Sequence, residues 1–303
     1  MELKPFFFCV AIAIVMLVLL AIIFADSSRY MVVDLTSGGI SYMRSEPSGG
    51  WSDEYKTSKL VLRKIKPGIF VMGTPKNEVG SQYNDEKQHV VVIEETFYIG
   101  IFEVTQKQYE LIMGNNPSQT FAIGATDNGR GNTRPVCNVP FLRVRGSEKG
   151  ICSSQNGEVD SDSFLGKLRA KTKLKFDLPT EAQWEYACRA GTTTALYSGN
   201  NLAEDSEDPN LNKLGRNMGN GGLLAFYVTV GSFRPNFWGL YDMYGNVSEW
   251  CLDKVPGYGT ERYRALRGGC YKSYAASCRS ASRGEGSPNY PSDSVGFRLV
   301  LVQ

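Results

Sequence analysis

Histidine is almost absent from this 303-residue chain: His89 stands alone. That scarcity removes zinc sites built on several histidines and H-E-x-x-H peptidases, and it leaves Ser-His-Asp hydrolysis only if His89 is the base. Its place at the head of Val90-Val91-Val92-Ile93 reads instead as a strand residue. No C-x-x-C pair occurs, and no internal repeat, collagenous tract or coiled coil appears. An excess of charge is also missing. The 33 basic and 31 acidic side chains are intermixed and leave a net charge of +2, which gives no footprint for nucleic acid.

One long apolar run is present, Pro5 to Ala25, without a charged residue. At about 1.5 Å per residue a helix of that length approaches the roughly 30 Å of a bilayer core, so the run reads as a membrane anchor or a signal sequence. A cut after Ala25 would put bulky Ile23 where a small residue is usual, which favours retention. Lys4 precedes the run and Arg29 follows it, so charge orients it weakly. The expectation is a four-residue tail (1–4), a single-pass anchor (5–25), and a C-terminal domain outside the cytoplasm, secreted if the segment is cleaved. Six cysteines follow the anchor's Cys9, an even number suited to a compartment where disulfides persist. Cys251 with Cys270 and Cys137 with Cys152 are candidate pairs, and the connectivity stays open.

With 42% hydrophobic residues over its 303 positions the chain can bury one large core. Residues 26–59 read as a tether with one short strand at Tyr30–Leu35, because Gly38-Gly39 and Pro47-Ser48-Gly49-Gly50 break structure after it. The domain is expected over 60–303. Strands are expected at Leu60–Leu62, Ile69–Met72, Glu95–Phe102, Tyr227–Val230, Arg264–Leu266 and Gly296–Val302. A first helix should start at Thr105, whose capping box with Gln108 satisfies two backbone donors, and end at Gly114. A second should run from Asp160 or Ser161 to Thr172, with Phe164, Leu165 and Leu168 on one face. A third should start at Thr180 with Gln183 and carry Trp184, Ala187 and Cys188 inward. Three helices among many short strands and long loops give an α+β class without βαβ winding.

Glu181 and Glu185 share a face of the third helix at i and i+4, the spacing of an acid/base pair. Asp242 and Glu249 bracket a Gly-containing turn whose carbonyls could join them around a hard cation such as Ca²⁺. The plainer reading is a turn whose acids cap neighbouring backbone. Tyr271 to Tyr290 is dense in Ser, Tyr, Ala, Gly and Asn, the palette of binding loops, with Tyr271, Ser273, Tyr274 and Tyr290 as the candidate face.

An ordered set of phrases ties these parts together: Phe70-Val71-Met72-Gly73, Tyr98-Ile99-Gly100 through Glu103-Val104-Thr105, Leu178-Pro179-Thr180-Glu181-Ala182-Gln183-Trp184-Glu185-Tyr186, Gly239 to Val247, Arg267-Gly268-Gly269, and Gly296-Phe297-Arg298. Together they resemble the formylglycine-generating enzyme (sulfatase-modifying factor) family from about Lys59 to Gln303. The resemblance implies the C-type-lectin-like variant of the α+β class, and in it the third helix is structural. It also implies a calcium site at Asp242 and Glu249 through side chains and at Gly245 and Val247 through carbonyls. Ser248 stands where the family usually has Trp, and the Asn246-Val247-Ser248 glycosylation match falls inside the signature, where it reads as accidental. Relatives that use an iron-binding histidine triad are excluded by the lone histidine.

The family's copper enzymes carry two cysteines four residues apart after Arg-Gly-Gly, soft ligands for Cu(I). Aligned from Arg267, Ser273 falls on the first of these, Cys270 on a preceding serine and Cys278 on the second cysteine. Aligned from the downstream Cys278-Arg279-Ser280, the copper segment is shortened away and Cys278 matches a family cysteine that pairs with Cys188. The second alignment is preferred, because it explains Cys188 and Cys278 together as a disulfide. Cys270 and Cys278 remain the catalytic candidates if the loop rearranges. The expected function is a membrane-anchored binding or accessory module with a protein or peptide ligand, stabilised by calcium and without catalysis. The alternative is a copper-dependent oxidase that converts a sulfatase cysteine to formylglycine.

Overall fold

The computed structural model describes residues 28–81, 86–118, 129–146, 157–221, 226–256 and 262–302. The strands are β1 (Tyr30–Asp34), β2 (Ile40–Met43), β3 (Lys59–Ile65), β4 (Gly68–Met72), β5 (His89–Ile93), β6 (Phe97–Gly100), β7 (Phe176–Asp177), β8 (Ser248–Pro256), β9 (Arg262–Arg267), β10 (Arg283–Gly286), β11 (Val295–Gly296) and β12 (Val300–Val302). Among them run helices α1 (Gln106–Met113), α2 (Phe141–Val144), α3 (Phe164–Thr172), α4 (Glu181–Arg189) and α5 (Met218–Gly221). The architecture is mixed, rich in sheet and poor in helix. The main sheet has the order β2-β1-β3-β6-β12-β7, a second sheet the order β10-β9-β8-β11, and β4-β5 forms a separate ribbon.

The inner strands β1 and β6 of the main sheet are buried on both faces, which explains why they read as apolar runs rather than alternating ones, while the edge strand β2 stays largely exposed. Tyr30, Val32, Val61, Phe97, Ile99 and Val300 enter one core, which also takes Trp184, Ala187 and Cys188 from α4. Met31, Val33, Leu62, Tyr98 and Leu301 enter the other, which holds Tyr109 of α1 and Phe164, Leu165 and Leu168 of α3. Tyr109 stacks on Phe164 at 5.4 Å, and Phe164 meets Phe297 edge-on at 5.2 Å. The tether expected over 26–59 is therefore corrected. β1 pairs with both β2 and β3, and its side chains belong to both cores, so the sheet takes in the chain from Tyr30 onward.

Helix starts follow their caps. Both halves of the capping box form at Thr105 with Gln108 and at Thr180 with Gln183, and Gly114 closes α1 in the left-handed conformation. The second helix starts later than Asp160, because the Ser163 hydroxyl accepts from the Gly166 N–H and so becomes the cap. The strand expected at Tyr227–Val230 does not form. The Val228 N–H donates to the Asn246 side chain and the Val230 N–H to the Thr133 carbonyl, so no neighbouring strand is available to build a ladder. The expected Gly296–Val302 strand is two pieces, with β11 parallel to β8 and β12 antiparallel to β6 and β7. No helix among the described residues is long and apolar enough to cross a membrane, and the apolar run 5–25 lies outside them.

Candidate functional site

The turn leading into β8 is pinned by backbone geometry. Gly245 has φ +73°, and a Cβ there would lie 1.9 Å from the Arg216 carbonyl oxygen, so only glycine fits. Its N–H donates to Gly268 of the Arg-Gly-Gly phrase, and the Asn246 N–H donates to Arg216. The turn thereby delivers Glu249 to a buried ion pair. Arg298 donates from Nη2 to Glu249 Oε1 and from Nε to Oε2, each at 2.6 Å, while Trp184 Nε1 donates to Oε2 at 2.8 Å. Glu103 closes the cluster by accepting from the Asn246 amide at 2.8 Å and the Val247 N–H at 3.2 Å. Asn246 is buried and bonded through both ends of its side chain, so it is no glycan acceptor.

Three carboxylates thus surround one guanidinium. Burial, then Asp242 and Glu249, hold the Glu103 carboxyl well above the usual range. Burial likewise lifts Asp242 to about 6, against the pull of the Gly231 N–H and Arg298. Arg298 titrates above its ordinary value, because Glu249 outweighs the burial that disfavours its charge.

The structure brings together all four residues of the calcium expectation, Asp242, Gly245, Val247 and Glu249, but they do not fit a cation as arranged. Both Glu249 oxygens already face Arg298, and one Asp242 oxygen accepts from the Gly231 N–H at 2.6 Å, leaving only Asp242 Oδ1 buried without a partner. Among the described residues no group of three or more His, Cys, Asp or Glu side chains is disposed to hold a metal ion. Addition of a calcium chelator is expected to leave the thermal midpoint of the chain unchanged. A fall of several degrees, restored by calcium, would return the ion to this turn.

The loop after β9 carries the cysteines. Cys270 donates its N–H to Ser273 Oγ at 2.9 Å, with the sulfur 3.3 Å from the same oxygen. Gly269 has φ +68°, and a Cβ there would lie 2.7 Å from Cys278 Sγ, so the buried Cys278 packs directly on the glycine. Burial, followed by the proximity of Cys270, pushes the Cys278 thiol up.

The disulfide expected between Cys188 and Cys278 is not made. Cys188, Cys251, Cys270 and Cys278 are free thiols. Cys188 meets Ser280 instead, two residues beyond Cys278, donating at 3.7 Å, and burial raises it to about 12. The Cys251–Cys270 pair is not made either, because Cys251 belongs to the core around Trp184 and Cys270 to a separate cluster with Tyr227 and Tyr271. Cys137 donates to the Tyr227 hydroxyl at 3.1 Å, and Cys152 lies outside the described residues.

Of the expected ligand face, Tyr274 and Tyr290 are exposed and Ser273 is half-buried. Tyr271 is not part of it. Its ring is buried, 5.6 Å from Tyr227 and 6.1 Å from Phe226, with the hydroxyl toward Asp293.

Glu181 and Glu185 are both committed to ion pairs. Glu185 accepts from Arg189, from Arg267 and from the Gly73 N–H, and Glu181 accepts from Arg283. Arg279 reaches Glu78 at 2.9 Å and Glu86 at 2.8 Å, anchoring the cysteine loop. His89 is exposed at the start of β5, its Nδ1 3.0 Å from the Lys87 carbonyl, beside a cavity of about 300 Å³ that Glu181 and Asp253 also line. The sequence phrases contained Glu103 and Arg298, but their meeting with Asp242 and Glu249 comes only from the fold.

Comparison with known proteins agrees with this geometry. The chain is 27% identical over 285 residues to the formylglycine-generating enzyme of Mus musculus, covering 80% of this chain and 76% of that one. PvdO from Pseudomonas aeruginosa shares the fold with a TM-score of 0.61 at 23% identity, covering 80% of this chain and 94% of PvdO. Treponema denticola variable protein 1 superposes with a TM-score of 0.59 at 26% identity, over 81% and 96% of the two chains. The match to the sulfatase-modifying factor enzyme 1-like domain spans residues 54–302 and takes in every phrase that converges on the Arg298 ion pair; the chain belongs to that family.

Proposed function

We propose that this protein is a membrane-anchored, extracytoplasmic member of its family, on the C-type-lectin-like variant of the fold, that binds or assists a partner without oxidising a cysteine. One observation carries the reading. Cys278 is fully buried against Gly269, and the Cys270 sulfur faces a serine hydroxyl, that of Ser273, at 3.3 Å. Ligand capture then falls to the exposed rings of Tyr274 and Tyr290, with a protein or peptide as the partner. Similarity to a protein named for variability supports searching for ligand contacts there. Anchoring through residues 5–25 rests on the length and uninterrupted apolar character of that run.

A second reading, copper-dependent oxidation of a sulfatase cysteine to formylglycine, draws on the electrostatic proximity of Cys270 and Cys278. Those two sulfurs would hold the copper, and the ion would supply the reaction with oxygen. The deciding measurement is mass spectrometry of a Cys-x-Pro-x-Arg peptide incubated with the full chain, copper and oxygen, beside an active family enzyme. The expected result is an unmodified cysteine. Conversion to formylglycine would overturn the non-catalytic reading.

A further inference from the structure

Exposed apolar side chains gather on the β4–β5 ribbon. Ile69, Val90 and Val92 are 70%, 68% and 54% exposed, and Val71 is exposed beside them. Ile69 lies opposite Val92 in the ladder and Val71 opposite Val90, so all four share one face. The other face is packed: Phe70 meets the Tyr186 ring at 5.2 Å, and Phe70 and Val91 lie against the core that holds Trp184 of α4. Outer positions of a ribbon packed on one side are ordinarily polar, and here they are β-branched hydrocarbon. A fifth exposed apolar side chain, Phe237, stands in a turn that the Gly239 N–H closes on the Asn236 carbonyl at 2.9 Å.

Ribbon and turn flank the place where the chain enters the sheet. Tyr186, which packs on Phe70, meets the Trp238 ring edge-on at 4.9 Å between centroids. A Cβ on Gly239 would lie 3.1 Å from the Tyr30 hydroxyl, so the turn sits against the first residue of β1. Ser28, Arg29 and Lys66 line one cavity with Tyr186 and Trp238, and Ser28 follows the apolar run 5–25 by three residues.

From this placement we infer that the outer face of the β4–β5 ribbon and the tip at Phe237 are a second contact with the bilayer, resting in its headgroup region. The inference rests on the proposed anchoring through residues 5–25. Trp and Tyr are the side chains that membrane interfaces favour, and Trp238 and Tyr186 join the two parts of the face. The exposed Arg29 and Lys66 beside them carry the sign of charge that anionic headgroups attract. Glu94 and Glu95, exposed just past β5, hold the contact at interfacial depth. A peptide would find no polar side chain on the ribbon's outer face to set its position, whereas lipid needs none. A second copy would meet four side chains there, well short of the roughly 1,000 Å² that a specific interface buries.

The test introduces a fluorescent amino acid singly at Phe237, at Val90 and, as the reference, at Tyr290, whose loop is tied to α2 by the Leu142 N–H and the Pro288 carbonyl. Each full chain is reconstituted into phosphatidylcholine vesicles with and without brominated lipid. The expected result is quenching about threefold or more stronger at 237 and 90 than at 290, and the exposed double variant Ile69→Asp/Val92→Asp should lower the quenching at 237 by about half. Alkaline carbonate extraction of the same vesicles reports the anchor separately. A retained chain quenched no more at 237 and 90 than at 290 would overturn this contact and leave the anchor standing, whereas a chain released by carbonate would overturn both. Quenching at 237 that the double variant leaves unchanged would remove the ribbon from the contact. Weak quenching together with a two-chain mass in detergent, returned to one chain by the double variant, would give the face to a second copy instead.

Discussion

Arg298→Met is expected to destabilise the folded chain by about 3–5 kcal/mol, read as a lower urea midpoint at unchanged slope. Arg298 is fully buried and bonds both oxygens of Glu249, so its removal strands a carboxylate in a site where Asp242 and Glu103 already repel it. The guanidinium also donates to the carbonyls of Gly100 and Tyr241, each at 3.0 Å, which ties β6 to the turn before β8. Met fills a similar length without charge, so the loss reports electrostatics and hydrogen bonds more than volume. Adding Glu249→Gln to Arg298→Met should recover part of the loss, because it removes the stranded charge. The Trp184 indole N–H can still donate to the new amide oxygen. A double variant that loses the full sum of the two single effects would show that Arg298 and Glu249 are not coupled.

The second large effect is on pH. The folded value of Asp242 is raised from 3.8 to about 6, and that of Glu103 is raised as well. A carboxyl whose value is higher in the fold than in the unfolded chain binds its proton more tightly when folded. Its contribution is complete below the unfolded value and is lost as pH rises through the folded one. Stability should therefore decline between pH 3.8 and about 6 through Asp242, and further at higher pH through Glu103. For Asp242 alone the expected decline is about 3 kcal/mol. Asp34, held low by Thr36 and Ser37, acts in the opposite direction but below pH 3.8, outside this window. Urea unfolding from pH 4 to pH 7 measures the slope, and Asp242→Asn should flatten its lower half. A wild type that gains stability across that range would contradict the assignment.

How much of this was legible in the sequence depends on whether the determining contact is local. Thr105 with Gln108 and Thr180 with Gln183 are reciprocal caps closed within four residues, and both appear in the structure as read. Ser163 displaced Asp160 because two nearby polar side chains competed for one helix end, which spacing alone does not resolve. β1 looked like an isolated strand because the Gly and Pro that follow it suggest a linker. Its partner β3 lies 25 residues further on, and only that pairing shows it to be interior. The acid turn was found because Asp242 and Glu249 are neighbours in sequence. Its counter-ion in the fold, Arg298, is 49 residues from Glu249, and nothing in the turn itself points to it. Tyr271 shares the polar composition of its loop, yet its ring fills the space beside Phe226 and Tyr227, and composition gives no direction to a side chain.

The early entry of β1 into the sheet has a mechanical consequence for the proposed anchor. A leash running from residue 26 to residue 59 would let the domain range up to about 110 Å from the bilayer, sweeping a wide hemisphere in search of partners. With Tyr30 already fixed between β2 and β3, only residues 26–29 separate the apolar run from the folded body, a span of at most about 14 Å. The protein would then present one constant side to the lipid and work as a sentry at the surface, meeting only those molecules that come to the membrane themselves.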